Sequence, residues 1–308
     1  MTPLRFRKKE NYMRFVKMNG CGNDYVYFDL TSREAAERGA DVIKAVPAIS
    51  DRHFGVGGDG VVLILPSGVA DVRMRMFNAD GSEGKMCGNA VRCVGKYAYE
   101  AGLTEGRTKI AVETASGVKR LSLIVRDGVC TGASVEMGRA AFEASAIPLD
   151  ESFLPEGYAP ADTPFGRVWS DVPVCAYGRT WTGTAVSMGN PHFVIFTDEN
   201  VESLDIGRVG KLIETHRLFP ERVNVEFVNI LSRDKLRMRV WERGSGETMA
   251  CGTGSCAVVA AAVANGITRA GEEAEVLLNG GTLKVVFSED GVTMTGNAET
   301  NFKGEYEI

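Results

Sequence analysis

Along most of the chain apolar residues come in short runs or alternate with polar ones, and helical spacing appears in only a few places. Phe15-Val-Lys-Met18 and Tyr25-Val-Tyr-Phe-Asp29 read as strands on either side of a tight loop, Asn19-Gly-Cys-Gly-Asn-Asp24. Ala, Ile and Val at helical spacing predict one amphipathic helix over 33–50. A glycine-dense loop, His53-Phe-Gly-Val-Gly-Gly-Asp-Gly60, leads into an apolar strand over 61–65. No helix and no Gly-Lys-Ser/Thr follow that loop, so it reads as a structural or substrate-adjacent turn rather than a phosphate cradle. A strand over 72–77, a polar Gly-rich loop and a small-residue helix over 89–100 come next, with Gly102 suited to the helix C-terminus. Strands over 109–113, 118–125 and 131–137 complete the half, with a turn at Asp127-Gly128.

Near Gly138 a second cycle begins without a linker. The stretch 183–196 resembles the opening strand–loop–strand unit. A helix is expected near 206–216 and strands over 222–229 and 236–241. A helix over 254–265 ends at Gly266, and strands over 274–278, 282–287 and 292–296 follow. A shift of 164 positions (251 − 87) superposes residues 71–104 on 235–268 without a gap, with ten identities in 34 positions. They include Arg75/Arg239, Glu83/Glu247, Cys87/Cys251 and Gly88/Gly252. Only two long units exist, so this is a two-fold duplication and not a solenoid. The expectation is an α/β chain of the α+β type. Two pseudo-symmetric domains, 13–137 and 138–296, would each wrap a mainly antiparallel sheet around a central helix, with the active site in the cleft between them.

The net charge of −5 and pI near 5.5 argue against a nucleic-acid partner. The basic cluster Arg5-Phe-Arg-Lys-Lys9 lies in a stretch, 1–12, expected to be a disordered extension, and it lacks the apolar core of a signal peptide. No apolar run approaches the roughly 18 residues needed to span a bilayer. Seven cysteines, an odd number at low density, point to free thiols and a reducing, cytoplasmic location.

Cys87 and Cys251 each stand just before a helix, where the partial positive charge of the helix start is expected to lower the thiol pKa. The backbone N–H groups of Gly88-Asn89 and Gly252-Thr253 suit a carboxylate. Two such thiols about one carbon can remove a proton from one face and return one to the other, and the N–H groups stabilise the enolate-like charge. Cys93 and Cys256 lie inside the helices and read as packing; the Cys-x5-Cys and Cys-x4-Cys spacings do not suit zinc, and no metal is expected. His192, after Ser187-Met-Gly-Asn-Pro191, reads as a site residue that assists a thiol, whereas His53 and His216 read as structural. Glu242-Arg243 suit an ammonium and a carboxylate, and Asn23, Asn78, Asn190 and Asn224 add loop amides, which together describe a second amino-acid head group.

With these motifs the chain resembles the diaminopimelate epimerase family over about 13–308. The resemblance rests on Gly22-Asn-Asp-Tyr, Phe77-Asn-Ala-Asp-Gly-Ser-Glu, Cys87-Gly-Asn, Ser187-Met-Gly-Asn-Pro-His, Glu221-Arg-Val-Asn, Glu242-Arg-Gly-Ser-Gly-Glu-Thr and Ala250-Cys-Gly-Thr-Gly. It implies cofactor-independent interconversion of LL- and meso-diaminopimelate, in lysine and peptidoglycan precursor synthesis. Cys87 and Cys251 would be the catalytic thiols, assisted by His192 and Glu242. The reacting carboxylate would lie at Gly88-Asn89 and Gly252-Thr253, and the distal end of the substrate at Asn23, Asn78, Asn190, Asn224, Glu242 and Arg243. It also implies a homodimer and a closing strand, 297–308, that returns to the first domain. Gly60 stands where some members carry a substrate-contacting Gln. A proline or hydroxyproline racemase shares the two-thiol logic but has no need of Glu242-Arg243 and four loop asparagines. A thiol redox protein would instead work through a Cys87–Cys251 disulfide.

Overall fold

The computed structural model describes residues 12–308. The expected extension lies outside the described residues up to residue 11; Tyr12 is not part of it, because its backbone pairs with Glu307. In chain order the first half contains β1 (Tyr12–Gly20), β2 (Asn23–Asp29), α1 (Arg33–Glu37), α2 (Gly39–Ser50), β3 (Gly60–Leu65), β4 (Val72–Asn78), β5 (Glu83–Gly84), α3 (Gly88–Glu100), β6 (Lys109–Thr114), β7 (Gly117–Arg126) and β8 (Val129–Gly138). The second half contains β9 (Ala161–Thr163), β10 (Gly166–Val168), β11 (Val172–Ala176), β12 (Arg179–Ser187), β13 (Pro191–Phe196), α4 (Ile206–Glu214), β14 (Asn224–Ser232), β15 (Lys235–Glu242), β16 (Gly246–Glu247), α5 (Gly252–Ala264), β17 (Glu273–Leu278), β18 (Gly281–Ser288) and β19 (Gly291–Asn297), before the closing β20 (Glu299–Glu307).

The described residues fall into two compact units. One holds 12–20, Asp24–Gly132 and Ala298–Ile308; the other holds Cys21–Asn23 and Ala133–Asn297. The change of unit thus lies inside β8, five residues before the 137/138 position expected from the sequence.

In the first unit β1 pairs antiparallel with β20, β2 runs parallel to β3, β3 pairs antiparallel with β4, β4 runs parallel to β6, and β6 pairs antiparallel with β7. The sheet is therefore mixed, because the helical connections α1–α2 and α3 are crossovers that return the chain in the same direction. Residues 33–50 form two helices rather than the single one expected. Ser32 caps α1, and the Arg38 N–H closes it on Ala35 and Ala36. Helix α1 has no fully buried residue and sets only the partly buried Ala35 against the core, whereas α2 buries Val42, Val46 and Ile49, spaced by four and three, on one face. These join Val26, Phe28, Leu30, Val61 and Leu63 in one core. The buried α3 sits so close to β7 that a Cβ at Gly95 would lie 2.8 Å from Leu121 and 2.9 Å from Leu123.

The second unit repeats this order: β13 runs parallel to β14 across α4, β14 pairs antiparallel with β15, β15 runs parallel to β17 across α5, and β17, β18 and β19 continue antiparallel. The registers repeat as well. Tyr25 lies beside Gly60 and His192 beside Asn224; Val61 lies opposite Phe77 and Val225 opposite Trp241. Helix α5 is Ala/Val-rich all round and buried from Gly254 to Val263, as a helix with no polar face must be. Residues 139–182, where the apolar pattern predicts no element, hold the β9–β10 hairpin and β11, which pairs antiparallel with β12 and brings Trp169, Val172, Val174 and Trp181 into the second core. Among the described residues no helix is long and apolar enough to cross a membrane.

Candidate active site

Cys87 and Cys251 are the N-cap residues of α3 and α5. The Ala90 N–H donates to the Cys87 sulfur at 3.5 Å, and the Gly254 N–H donates to the Cys251 sulfur at 3.3 Å. Each thiol occupies the place where Ser or Asp would ordinarily satisfy the orphan N–H groups of a helix start. The loop before each is pinned by the same ion pair across a short hairpin: Arg75 Nε to Glu83 at 2.7 Å between β4 and β5, and Arg239 Nε to Glu247 at 2.9 Å between β15 and β16. Two of the identities in the duplication are therefore loop clasps.

In the second unit a chain of side chains runs away from Cys251. Its sulfur lies 3.6 Å from the Thr253 hydroxyl, which accepts from Asn190 Nδ2 at 3.3 Å. Asn190 Oδ1 is 3.1 Å from His192 Nε2, and His192 Nδ1 is 2.7 Å from Glu226 Oε1. His192 and Glu226 are fully buried. The Glu242 carboxyl accepts from the Thr248 hydroxyl and contacts the Cys251 thiol. Burial raises the Glu242 carboxyl above its ordinary range; Glu226 adds to this, while Thr248, His192 and Cys251 oppose it.

The expected lowering of the Cys251 pKa is not what the structure shows. Burial pushes this thiol well above its ordinary value, and Glu242 and Glu226 push it further. The bonds from Thr253 and the Gly254 N–H act the other way but are outweighed. Cys251 therefore rests as the protonated thiol.

In the first unit a cation stands at the helix start. The fully buried Arg92 folds back over the start of α3, donating from Nη1 to the Gly88 carbonyl and from Nη2 to Asn89 Oδ1, both at 3.0 Å. A guanidinium at a helix N-terminus favours an anion beside it. Cys93 is buried against Tyr27, and burial pushes its thiol up to about 11, in keeping with a packing role.

The other expected residues divide between the units. Asn78 is exposed and donates to Ser82 Oγ at 3.0 Å; Asn23 opens β2 and groups with the second unit. Asn224 is buried, donating to the Pro191 carbonyl at 3.1 Å and accepting from the Arg243 N–H at 2.8 Å, so its amide clamps two loops. Glu242 and Arg243 part company: the first turns toward Cys251, while the second is exposed and donates to the Glu221 carbonyl at 2.9 Å. At Gly60 a Cβ would lie 1.9 Å from the Phe77 carbonyl oxygen, so this backbone admits glycine alone. Glu226, Arg92 and Thr248 were not singled out from the sequence. The available signal was the duplication, which sets Val62 against Glu226 and Cys256 against Arg92.

Solved structures share this fold. A hydroxyproline epimerase from Agrobacterium vitis matches with a TM-score of 0.65 at 17% identity, covering 98% of this chain and 94% of that one. A PhzF-family phenazine biosynthesis protein from Bacillus anthracis matches with a TM-score of 0.63 at 17% identity, covering 96% and 99%. The fold is thus one that a hydroxyproline epimerase and a PhzF-family protein also have.

The family model described as diaminopimelate epimerase matches residues 15–143 and 184–301. Diaminopimelate epimerases are 49% identical in Desulfovibrio desulfuricans, 45% in Acetivibrio thermocellus and 45% in Methanococcus maripaludis. Each alignment covers 96% of this chain and at least 99% of the relative. The chain belongs to the diaminopimelate epimerase family and is an isomerase.

Proposed function

We propose that the chain interconverts LL- and meso-diaminopimelate, in lysine and peptidoglycan precursor synthesis, by a cofactor-independent exchange of protons between Cys87 and Cys251. The observation that carries this reading is the capping geometry: both thiols accept a backbone N–H at a helix start, in duplicated loops held by the same ion pair. The first-turn N–H groups at Gly88-Asn89 and Gly252-Thr253 hold the reacting carboxylate and the charge that develops when the α-proton leaves. Cys251, resting as a thiol among carboxylates, is the proton donor of the resting enzyme, and Cys87, at the helix start over which the Arg92 guanidinium folds, is the base. The roles reverse for the opposite isomer. Glu242 and His192 handle the proton behind Cys251. Asn23, Asn78, Asn190, Asn224 and Arg243 hold the distal amino-acid end. The enzyme works in the cytoplasm as a homodimer, to which β20, with mostly exposed side chains, offers a surface. A thiol redox role fits less well, since a redox thiol needs a depressed pKa and Cys251 has the opposite.

The test is deuterium incorporation at the α-carbon of LL-diaminopimelate in heavy water. Wild type incorporates label, and Cys87→Ala and Cys251→Ala each lose turnover by at least about 100-fold. A reduced wild-type enzyme that leaves the α-carbon unlabelled overturns the reading.

A further inference from the structure

Glu226 is a fully buried carboxylate in an otherwise apolar stretch of β14, between Val225 and Phe227. One oxygen, Oε1, meets His192 Nδ1 at 2.7 Å; the other, Oε2, has no hydrogen-bond partner among the described residues. A buried carboxylate with one bare oxygen is costly and calls for a reason.

The duplication shows what the carboxylate replaced. In the first copy the register position of His192 is Tyr25, that of Glu226 is Val62, and that of Gly254 is Ala90. The three differences belong together. A Cβ at residue 254 would lie 2.7 Å from Glu226 Oε1 and 3.2 Å from the Cys251 sulfur. The methyl that α3 carries at Ala90 is thus absent from α5 where the carboxylate needs the room. Glu242 and Cys251 also face Glu226 and feel its charge.

We propose that Glu226 is a positioning residue for His192. Its carboxylate accepts from Nδ1–H, which fixes the ring orientation so that Nε2–H donates to Asn190 Oδ1, on the Asn190–Thr253–Cys251 side, and makes Nε2 the nitrogen that gives up and regains a proton. This rests on the reading that His192 serves Cys251.

The test combines ring-nitrogen NMR with kinetics. The chain has three histidines, so the His192 signals are assigned by their loss in His192→Gln. Wild type shows a proton held on Nδ1. Glu226→Leu loses that proton and leaves Nε2–H, bonded to Asn190 Oδ1, as the ring's one N–H, and lowers kcat by about 10- to 100-fold with little change in KM. Glu226→Gln keeps an acceptor at Nδ1, retains the tautomer and gives an intermediate kcat; it also serves if the leucine variant fails to fold. An Nδ1–H tautomer that survives Glu226→Leu overturns the proposal, whether or not kcat falls. So does a glutamine variant no more active than the leucine one. If Cys251→Ala stays active, the thiol reading fails on its own, while the tautomer change still decides the Glu226 contact.

Discussion

The Asn224 side-chain oxygen accepts the Arg243 backbone N–H at 2.8 Å while its amide nitrogen donates to the Pro191 carbonyl at 3.1 Å. One buried amide thus ties the start of β13, which carries His192, to the end of β15, which carries Glu242. Asn224→Ala leaves two buried backbone groups without partners, and unfolding in denaturant is expected to show a loss of about 2–3 kcal/mol. Asn224→Asp keeps the acceptor for Arg243 but sets a buried carboxylate oxygen against the Pro191 carbonyl, so at neutral pH it is expected to lose at least as much.

Glu242 raises the pKa of Cys251 from within the site. Glu242→Gln removes that charge, so the Cys251 thiolate forms at lower pH. Alkylation of the Cys251 peptide, followed by mass spectrometry across a pH series, is expected to begin at lower pH than in wild type. The Cys175 peptide serves as the control, since that exposed thiol lies outside the site. An unchanged profile for Cys251 counts against the contact.

The same carboxyl bears on stability. The folded state raises the Glu242 pKa, so it favours the protonated form, and the resulting stabilisation is present below about 4.5 and lost as pH rises through the folded value. At neutral pH the buried charge is a cost. Glu242→Gln is therefore expected to melt at a higher temperature than wild type at pH 7, with the advantage vanishing below about pH 4, while kcat falls. A variant less stable at pH 7 contradicts the assignment.

Gly254→Ala inserts the methyl that Glu226 excludes, and about 1–3 kcal/mol of stability should be lost to overpacking. Adding Glu226→Val, which restores the Val62–Ala90 combination of the first copy, is expected to recover much of that loss. Additive losses in the double-mutant cycle would show that the two positions do not interact.

Cys93 sets an alkaline boundary. Its thiol is raised from 9.0 to about 11 by burial, so the stability held by the neutral form is intact below 9.0 and declines as pH rises toward 11. Cys93→Ala should flatten the melting temperature across that range, at the expense of a small cavity at all pH values.

Most of the strand order and both capping cysteines were legible because they rest on local chemistry: periodicity, Gly at helix ends, and a repeat in one register. The split at Arg38 was not, because 33–50 keeps helical spacing throughout while only the second part has fully buried residues. The elements of 139–182 were not legible because the strands are short and the core residues are held by partners distant in sequence, such as Trp181 edge-on to Phe227. The direction of the Cys251 shift was missed for a similar reason. The helix start next to a cysteine is visible in the sequence; Glu226, 25 residues away (251 − 226), is not visible as its neighbour. Arg92 looked like an ordinary helical arginine until its guanidinium was seen folded over Gly88.

The pairing of Tyr12 with Glu307, residue by residue along β1 and β20, sets an order on biosynthesis. Strand β1 leaves the ribosome before β20 and waits for it before that edge is covered. The first unit is therefore completed after the second, whose segments are nested between. A nascent chain stalled before Ala298 should hold a protease-resistant second unit and a first unit whose β1 edge is still open to another chain.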